Sequence, residues 1–296
     1  MNTNQPPICD YEGSDYQTTF WDSGDRAYED RVEAIAIQRL LPKSGNILLE
    51  VGAGAGRNTP RYQAYQRVVL VDYSSTQLQQ AQANLGTSSR YTYVAANAYQ
   101  LPFTAGVFDG ATMIRTLHHM ADPQLALEQV RLTLQPGATF ILEYANKKNL
   151  KAILRYIFRR QSWNPFSPEA VEFTELNFDF HPRSVIKWLE SSSFTIERQL
   201  TVSHFRVDFL KRFVPLEVLV NLDSIAQLSG KWWQLSPSVF VSATAVGNTP
   251  IAPPDTLFRC LICNQDRFSQ DQDILRCLTC DHPWKHENGI YDFRLK

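Results

Sequence analysis

One feature constrains this chain more than any other. Short apolar runs alternate with amphipathic helical patterns, and the first run ends in a glycine loop, residues 47–56, ILLEVGAGAG. Apolar runs at 46–51, 68–71, 91–95, 110–115 and 139–144 read as strands, and 74–84 and 123–134 read as helices between them. Strand, helix, strand in this rhythm builds βαβ units and a parallel sheet. A helix over 29–41 precedes the first strand, with Val32, Ile35, Ala36, Leu40 and Leu41 on its apolar face. A helix at 182–192 and strands at 196–202 and 239–246 bring the expected sheet to seven strands.

The 296 residues suffice for one large α/β domain and a small module. The expected division is an N-terminal helical or lid segment over 1–45, a main domain over 46–247 with lid insertions at about 147–180 and 204–237, a Pro-rich linker over 248–256, and a cysteine module over 257–296. The lid segments are aromatic: Tyr11, Tyr16, Phe20, Trp21 and Tyr28 near the N-terminus, then Trp163, Phe166, Phe173, Phe178, Phe180, Trp232 and Trp233. A formal net charge of −1 gives no global attraction to nucleic acid or an anionic membrane, so such partners would need a local patch. No run approaches the roughly 18 apolar residues of a spanning helix, and the first residues are polar, so a cytoplasmic location is expected.

A dinucleotide fingerprint needs G-x-G-x-x-G, and its third glycine would fall on Arg57. The pattern is instead Glu50, Gly52, Gly54, Gly56. A carboxylate before the loop suits a ligand carrying an ammonium and a sulfonium better than a pyrophosphate. Asp72, at the end of the second strand, can accept hydrogen bonds from two ribose hydroxyls.

The stretch 48–144 resembles the class I S-adenosylmethionine-dependent methyltransferases of the small-molecule type, as in ubiquinone and menaquinone biosynthesis. The resemblance lies in LLEVGAGAGRNT, VVLVDYSSTQLQQAQ, AANAYQLPF and FDGATMIRTLHHMADPQLALEQVRLTLQPGATFIL, in that order and spacing. It implies a Rossmann-like α/β fold with strand order 3-2-1-4-5-7-6, the last strand antiparallel and helices on both faces. It also implies S-adenosylmethionine as cofactor. Glu50, Gly52, Gly54 and Gly56 would line its methionine end, Asp72 would hold the ribose with Tyr73 beside the adenine, and Asn97 and Ala98 would meet the adenine edge. Arg115 would lie under the methionine moiety or the substrate. The family carries Asp where this chain has Asn97, whose amide oxygen can still accept from an adenine amino group. The motifs do not name the acceptor; the aromatic lid segments point to a small, apolar or aromatic metabolite. An RNA or protein acceptor, read through the C-terminal module and a basic helix, is the alternative.

His118 and His119 follow the fourth strand, and one could serve as a general base; the bland reading is that they pack the loop. Lys147, Lys148, Lys151, Arg155, Arg159 and Arg160 fall within fourteen residues without an acid, beside Leu150, Ile153, Leu154, Ile157 and Phe158 at helical spacing. Residues 147–160 could therefore meet a membrane periphery or RNA phosphates, or form a solvated helix over the site.

Cys260, Cys263, Cys277 and Cys280 make two C-x-x-C pairs separated by thirteen residues. Four thiolates match the tetrahedral demand of one structural zinc ion, and a forty-residue tail with little core needs such a staple. The module resembles the zinc ribbons of small methyltransferase activator subunits, in its cysteine spacing and in the ending at Asn288, Gly289, Ile290, Tyr291, Asp292 and Phe293. Its acids and bases balance, against a strong phosphate-binding face.

Overall fold

The computed structural model describes residues 5–13 and 26–295; Tyr16, Phe20 and Trp21 of the expected N-terminal lid lie outside them. In chain order the elements are α1 (Ala27–Leu40), β1 (Gly45–Val51), β2 (Tyr65–Asp72), α2 (Ser75–Leu85), β3 (Tyr91–Ala95), β4 (Phe108–Met113), α3 (Pro123–Thr133) and β5 (Leu134–Ala145). There follow α4 (Leu150–Ile157), the hairpin β6 (Val171–Thr174) and β7 (Asn177–Asp179), α5 (Pro182–Ser191), β8 (Phe194–Val202), α6 (Asp208–Phe213), α7 (Leu216–Ala226) and β9 (Ser238–Ala245). The cysteine module contributes β10 (Phe268–Asp271), β11 (Ile274–Cys277), β12 (Pro283–Glu287) and β13 (Ile290–Asp292).

Local chemistry sets the helix starts. Ser74 accepts from Gln77 N at 3.2 Å to open α2, Asp122 from Leu125 N at 3.0 Å to open α3 with Pro123 in its first turn, and Asn149 from Ala152 N at 2.9 Å to open α4.

The sheet runs β3-β2-β1-β4-β5-β9-β8 through the main domain, with β9 antiparallel to both β5 and β8, as the resemblance implied. Its extent is a correction: among the described residues the sheet has eleven strands, not seven. The strand β13 pairs in parallel with β3, Ile290 opposite Tyr93 and Asp292 opposite Ala95, and β12, β11 and β10 continue from it antiparallel. The outer edge of β3 would otherwise present unpaired backbone groups, and the module covers it. The expected lid insertion at about 147–180 holds the β6–β7 hairpin.

Alternation along the strands sorts two cores. Leu49, Val51, Val69 and Val71 face α3 and α5 through Leu127, Val130, Val185 and Leu189. Leu48, Val68 and Leu70 face α1, α2 and α7 through Val32, Ile37, Leu78 and Leu219. The module joins the first core. Phe258 stacks on Phe103 with centroids 6.0 Å apart and lies 5.0 Å from Phe293, while Arg259 N donates to Pro102 O at 2.9 Å. Each such buried ring contributes about 2 kcal/mol of apolar burial.

Candidate active site and metal centre

At the carboxyl edge of the sheet the glycine loop turns under a cleft of about 1040 Å³, part of it open to solvent. Its wall includes Gly52, Gly54, Arg57, Asp72, Tyr73, Gln77, Asn97, Ala98, Arg115 and His119. Gly52 (φ +70°) donates its N–H to Val71 O at 2.8 Å, and a side chain there would run into Thr116. Gly54 (φ +54°) turns its N–H to Asp72 Oδ2 at 2.9 Å, and a Cβ there would stand clear of backbone. Gly52 is fixed as glycine by both its φ and Thr116, and the left-handed φ of Gly54 favours glycine. The other Asp72 oxygen accepts from Ser74 N at 3.0 Å; burial raises its pKa and these amides pull it back. The carboxylate is thus fixed at the cleft wall, at the tip of β2.

Two expected residues stand behind the wall. Gly56 (φ +76°) faces Leu85 and Ala81 of α2, where a Cβ would crowd. Glu50 is buried beneath the loop, accepting from Thr59 Oγ1 at 2.6 Å and Tyr62 OH at 3.2 Å. Burial pushes its pKa up to about 7, against those two donors and the charges of Arg57 and Arg61.

Arg57, which the sequence reading passed over, lines the cleft and pairs with Asp30 and Glu33 of α1. Arg115 shares Glu33 and stands in the left-handed region (φ +55°), its N–H held by Glu143 Oε2 at 2.9 Å. Burial opposes ionisation of Glu33, yet Arg115 and Arg57 hold its pKa at about 2. The signal was in the sequence: an arginine directly after the glycine triad, and acids three apart on the preceding helix.

Asn97 uses its amide oxygen to accept from Tyr99 N at 2.9 Å, tightening the turn after β3 and fixing the amide plane at the cleft wall. His119 lines the cleft with both ring nitrogens engaged, Nε2 with Tyr11 OH at 3.2 Å and Nδ1 with Leu176 O at 3.0 Å. The carbonyl can only accept, so Nδ1 donates and Nε2 accepts from Tyr11. Burial lowers the pKa of His119, and that of His118 much further with help from His119 and Arg115. His118 is not on the cleft wall. A base role for His119 would need Tyr11 to release it.

The segment carrying Ile8, Cys9 and Tyr11 crosses the cleft. Glu12 anchors it, accepting from Ser75 N at 2.9 Å and Thr76 N at 3.1 Å at the start of α2. Arg294, just beyond β13, donates to Glu12 at 3.2 Å and to Tyr73 O at 3.1 Å, and Asp292 holds its guanidinium. Through Arg294 the module therefore touches Tyr73, on the cleft wall.

The four cysteine sulfurs lie within 4.8 Å of one another, Cys260 to Cys280 at 3.7 Å and Cys263 to Cys277 at 3.5 Å. Ligands about 2.3 Å from a tetrahedral zinc stand about 3.8 Å apart, whereas a disulfide would bring them to about 2 Å. The cluster fits a metal, and all four thiols are free.

The main domain has the α/β fold seen in S-adenosylmethionine-dependent methyltransferases. The family model described as a methyltransferase domain matches residues 49–142, and the chain carries that domain. An O-methyltransferase of Aspergillus sclerotiorum is 27% identical over 183 residues, covering 55% of this chain and 69% of that protein. A demethylmenaquinone methyltransferase of Clavibacter sepedonicus is 28% identical over 115 residues, covering 38% of this chain and 47% of that protein. The chain thus spans about two thirds of the first relative and under half of the second. A solved structure similar in fold comes from the complex of the Haloferax volcanii Trm112 methyltransferase activator with a methyltransferase. Its TM-score is 0.52 at 15% identity, over 75% of this chain and 92% of that one.

Proposed function

We propose that this chain transfers a methyl group from S-adenosylmethionine to a small, apolar or aromatic acceptor, and that its four cysteines hold one structural zinc ion. The observation that carries the first part is Asp72, fixed by Gly54 N and Ser74 N on the wall of a cleft floored by left-handed glycines. Bound there, S-adenosylmethionine supplies a methyl on a sulfonium that leaves as a neutral thioether, so alignment rather than acid catalysis is required. Asp72 would hold the ribose hydroxyls, Tyr73, Asn97 and Ala98 the adenine, and Gly52, Gly54 and Arg115 the methionine end. Glu50, paired to Thr59 and Tyr62, would support the loop from behind. His119 would position Tyr11 across the cleft, and no base is assigned.

The small-acceptor reading draws on the relatives, named for O-methylation and for demethylmenaquinone. It also draws on the module, whose strands are spent on covering β3. The same arrangement supports a division into a catalytic unit over 46–247 and a ribbon over 257–296. The test is label transfer from methyl-labelled S-adenosylmethionine to phenolic and quinol acceptors, with total RNA and protein in parallel. Label is expected in the organic-extractable fraction; label confined to RNA or protein would overturn the reading.

A further inference from the structure

The helix α4 is mounted with its apolar face outward. Leu150, Leu154, Ile157 and Phe158 stand at i, i+4, i+7 and i+8, on one face. They are 51, 44, 62 and 67% exposed, while the fully buried contact of the helix is Ala152, on the opposite side. A helix that covers a core does the reverse. Trp232 and Trp233 are 74 and 63% exposed, so they do not close over the cleft as a lid would. The segment just after them runs beside the start of α4: Leu150 N donates to Leu235 O at 2.8 Å, and Asn146 Nδ2 to Gln234 O at 3.0 Å. The outward face of α4 and the exposed tryptophans are thus linked through the chain at the base of the helix. Along residues 147–168 the charge has a single sign, with Lys151, Arg155, Arg159 and Arg160 exposed and no acid in the stretch, and Lys231 is exposed next to Trp232 in the chain.

We propose that this surface docks the protein on an anionic lipid bilayer. The leucine, isoleucine and phenylalanine side chains would enter the interfacial layer, the tryptophans would sit at headgroup level, and the cations would meet lipid phosphates. A single-stranded RNA site would pair its cations with stacking rings, and an outward Leu–Ile face has no use there. No helix among the described residues is long and apolar enough to cross a membrane, so the contact is peripheral. The surface follows β5, which carries Glu143, the carboxylate holding Arg115 at the cleft. Resting on the small-acceptor reading, this places the membrane on the acceptor side, where an apolar acceptor dissolved in lipid would enter.

The test is flotation of the full chain with vesicles of mixed phosphatidylcholine and phosphatidylglycerol, against phosphatidylcholine alone. Binding is expected to the mixed vesicles, weakened about tenfold or more by high salt or by removing the anionic lipid. The double variant Leu154→Asp, Ile157→Asp should lose about tenfold or more in vesicle affinity. Its melting temperature and S-adenosylmethionine affinity should stay at wild-type values. Failure of the wild type to float with anionic vesicles at low salt would overturn the proposal. So would a double variant that floats as well as wild type, or one that instead loses only self-association or only RNA binding. Flotation does not read methyl transfer, so its failure leaves the proposed activity to its own test.

Discussion

Around the glycine loop, charge is buried and answered: Glu33 lies between Arg57 and Arg115, Glu50 under Thr59 and Tyr62, Asp72 on two backbone amides. Beyond β5 the insertions do the opposite, burying little of α4 and turning its apolar face and Trp232 to solvent. The ribbon at the other edge behaves like the cofactor half, spending its strands and rings on the main sheet and core. A preorganised half and an outward-facing half suit a protein whose cofactor is fixed and whose acceptor arrives from elsewhere.

The largest effect expected from breaking this contrast comes from the cluster. Cys277→Ser, or zinc removal by a chelator, should free the edge of β3 and lower the melting temperature by about 10 °C or more, with loss of one zinc per chain by metal analysis. Gly52→Ala comes next. It places a side chain at φ +70° against Thr116, and should cost about 2–3 kcal/mol in a denaturant titration.

The two buried glutamates give opposite pH dependences. Glu33, held at about 2, contributes stability present above its ordinary value of 4.5 and lost as pH falls through 2. Glu50, raised to about 7, contributes stability present below 4.5 and lost as pH rises through 7. Melting temperatures of Glu50→Gln between pH 4.5 and 7 should therefore fall less with rising pH than those of wild type, by a few degrees. The smallest effect is Arg294→Ala. It loosens Glu12 and Tyr73 at a partly exposed pair, and should weaken S-adenosylmethionine binding by roughly fivefold at most in calorimetry.

Much of the cofactor half was legible in the residues because its signals are local. Glycines fall where φ turns positive, Asp72 ends a run of valines, and caps open the helices. Glu50 shows how far this went. Strand alternation places it with Leu48, on the face of α1, so its burial was readable even though its partners Thr59 and Tyr62 were not. The pairing of β13 with β3 joins residues almost two hundred positions apart, and no local pattern announces it. The outward face of α4 was equally hidden, since an amphipathic stripe does not say which way it points.

The central claim is that the cleft over the glycine loop holds S-adenosylmethionine through Asp72. Calorimetric titration of wild type and Asp72→Ala tests it most directly. Saturable binding by wild type, weakened about thirtyfold or more in the variant without loss of folding, is the predicted result. No binding by folded wild type, or equal binding by the variant, would contradict it.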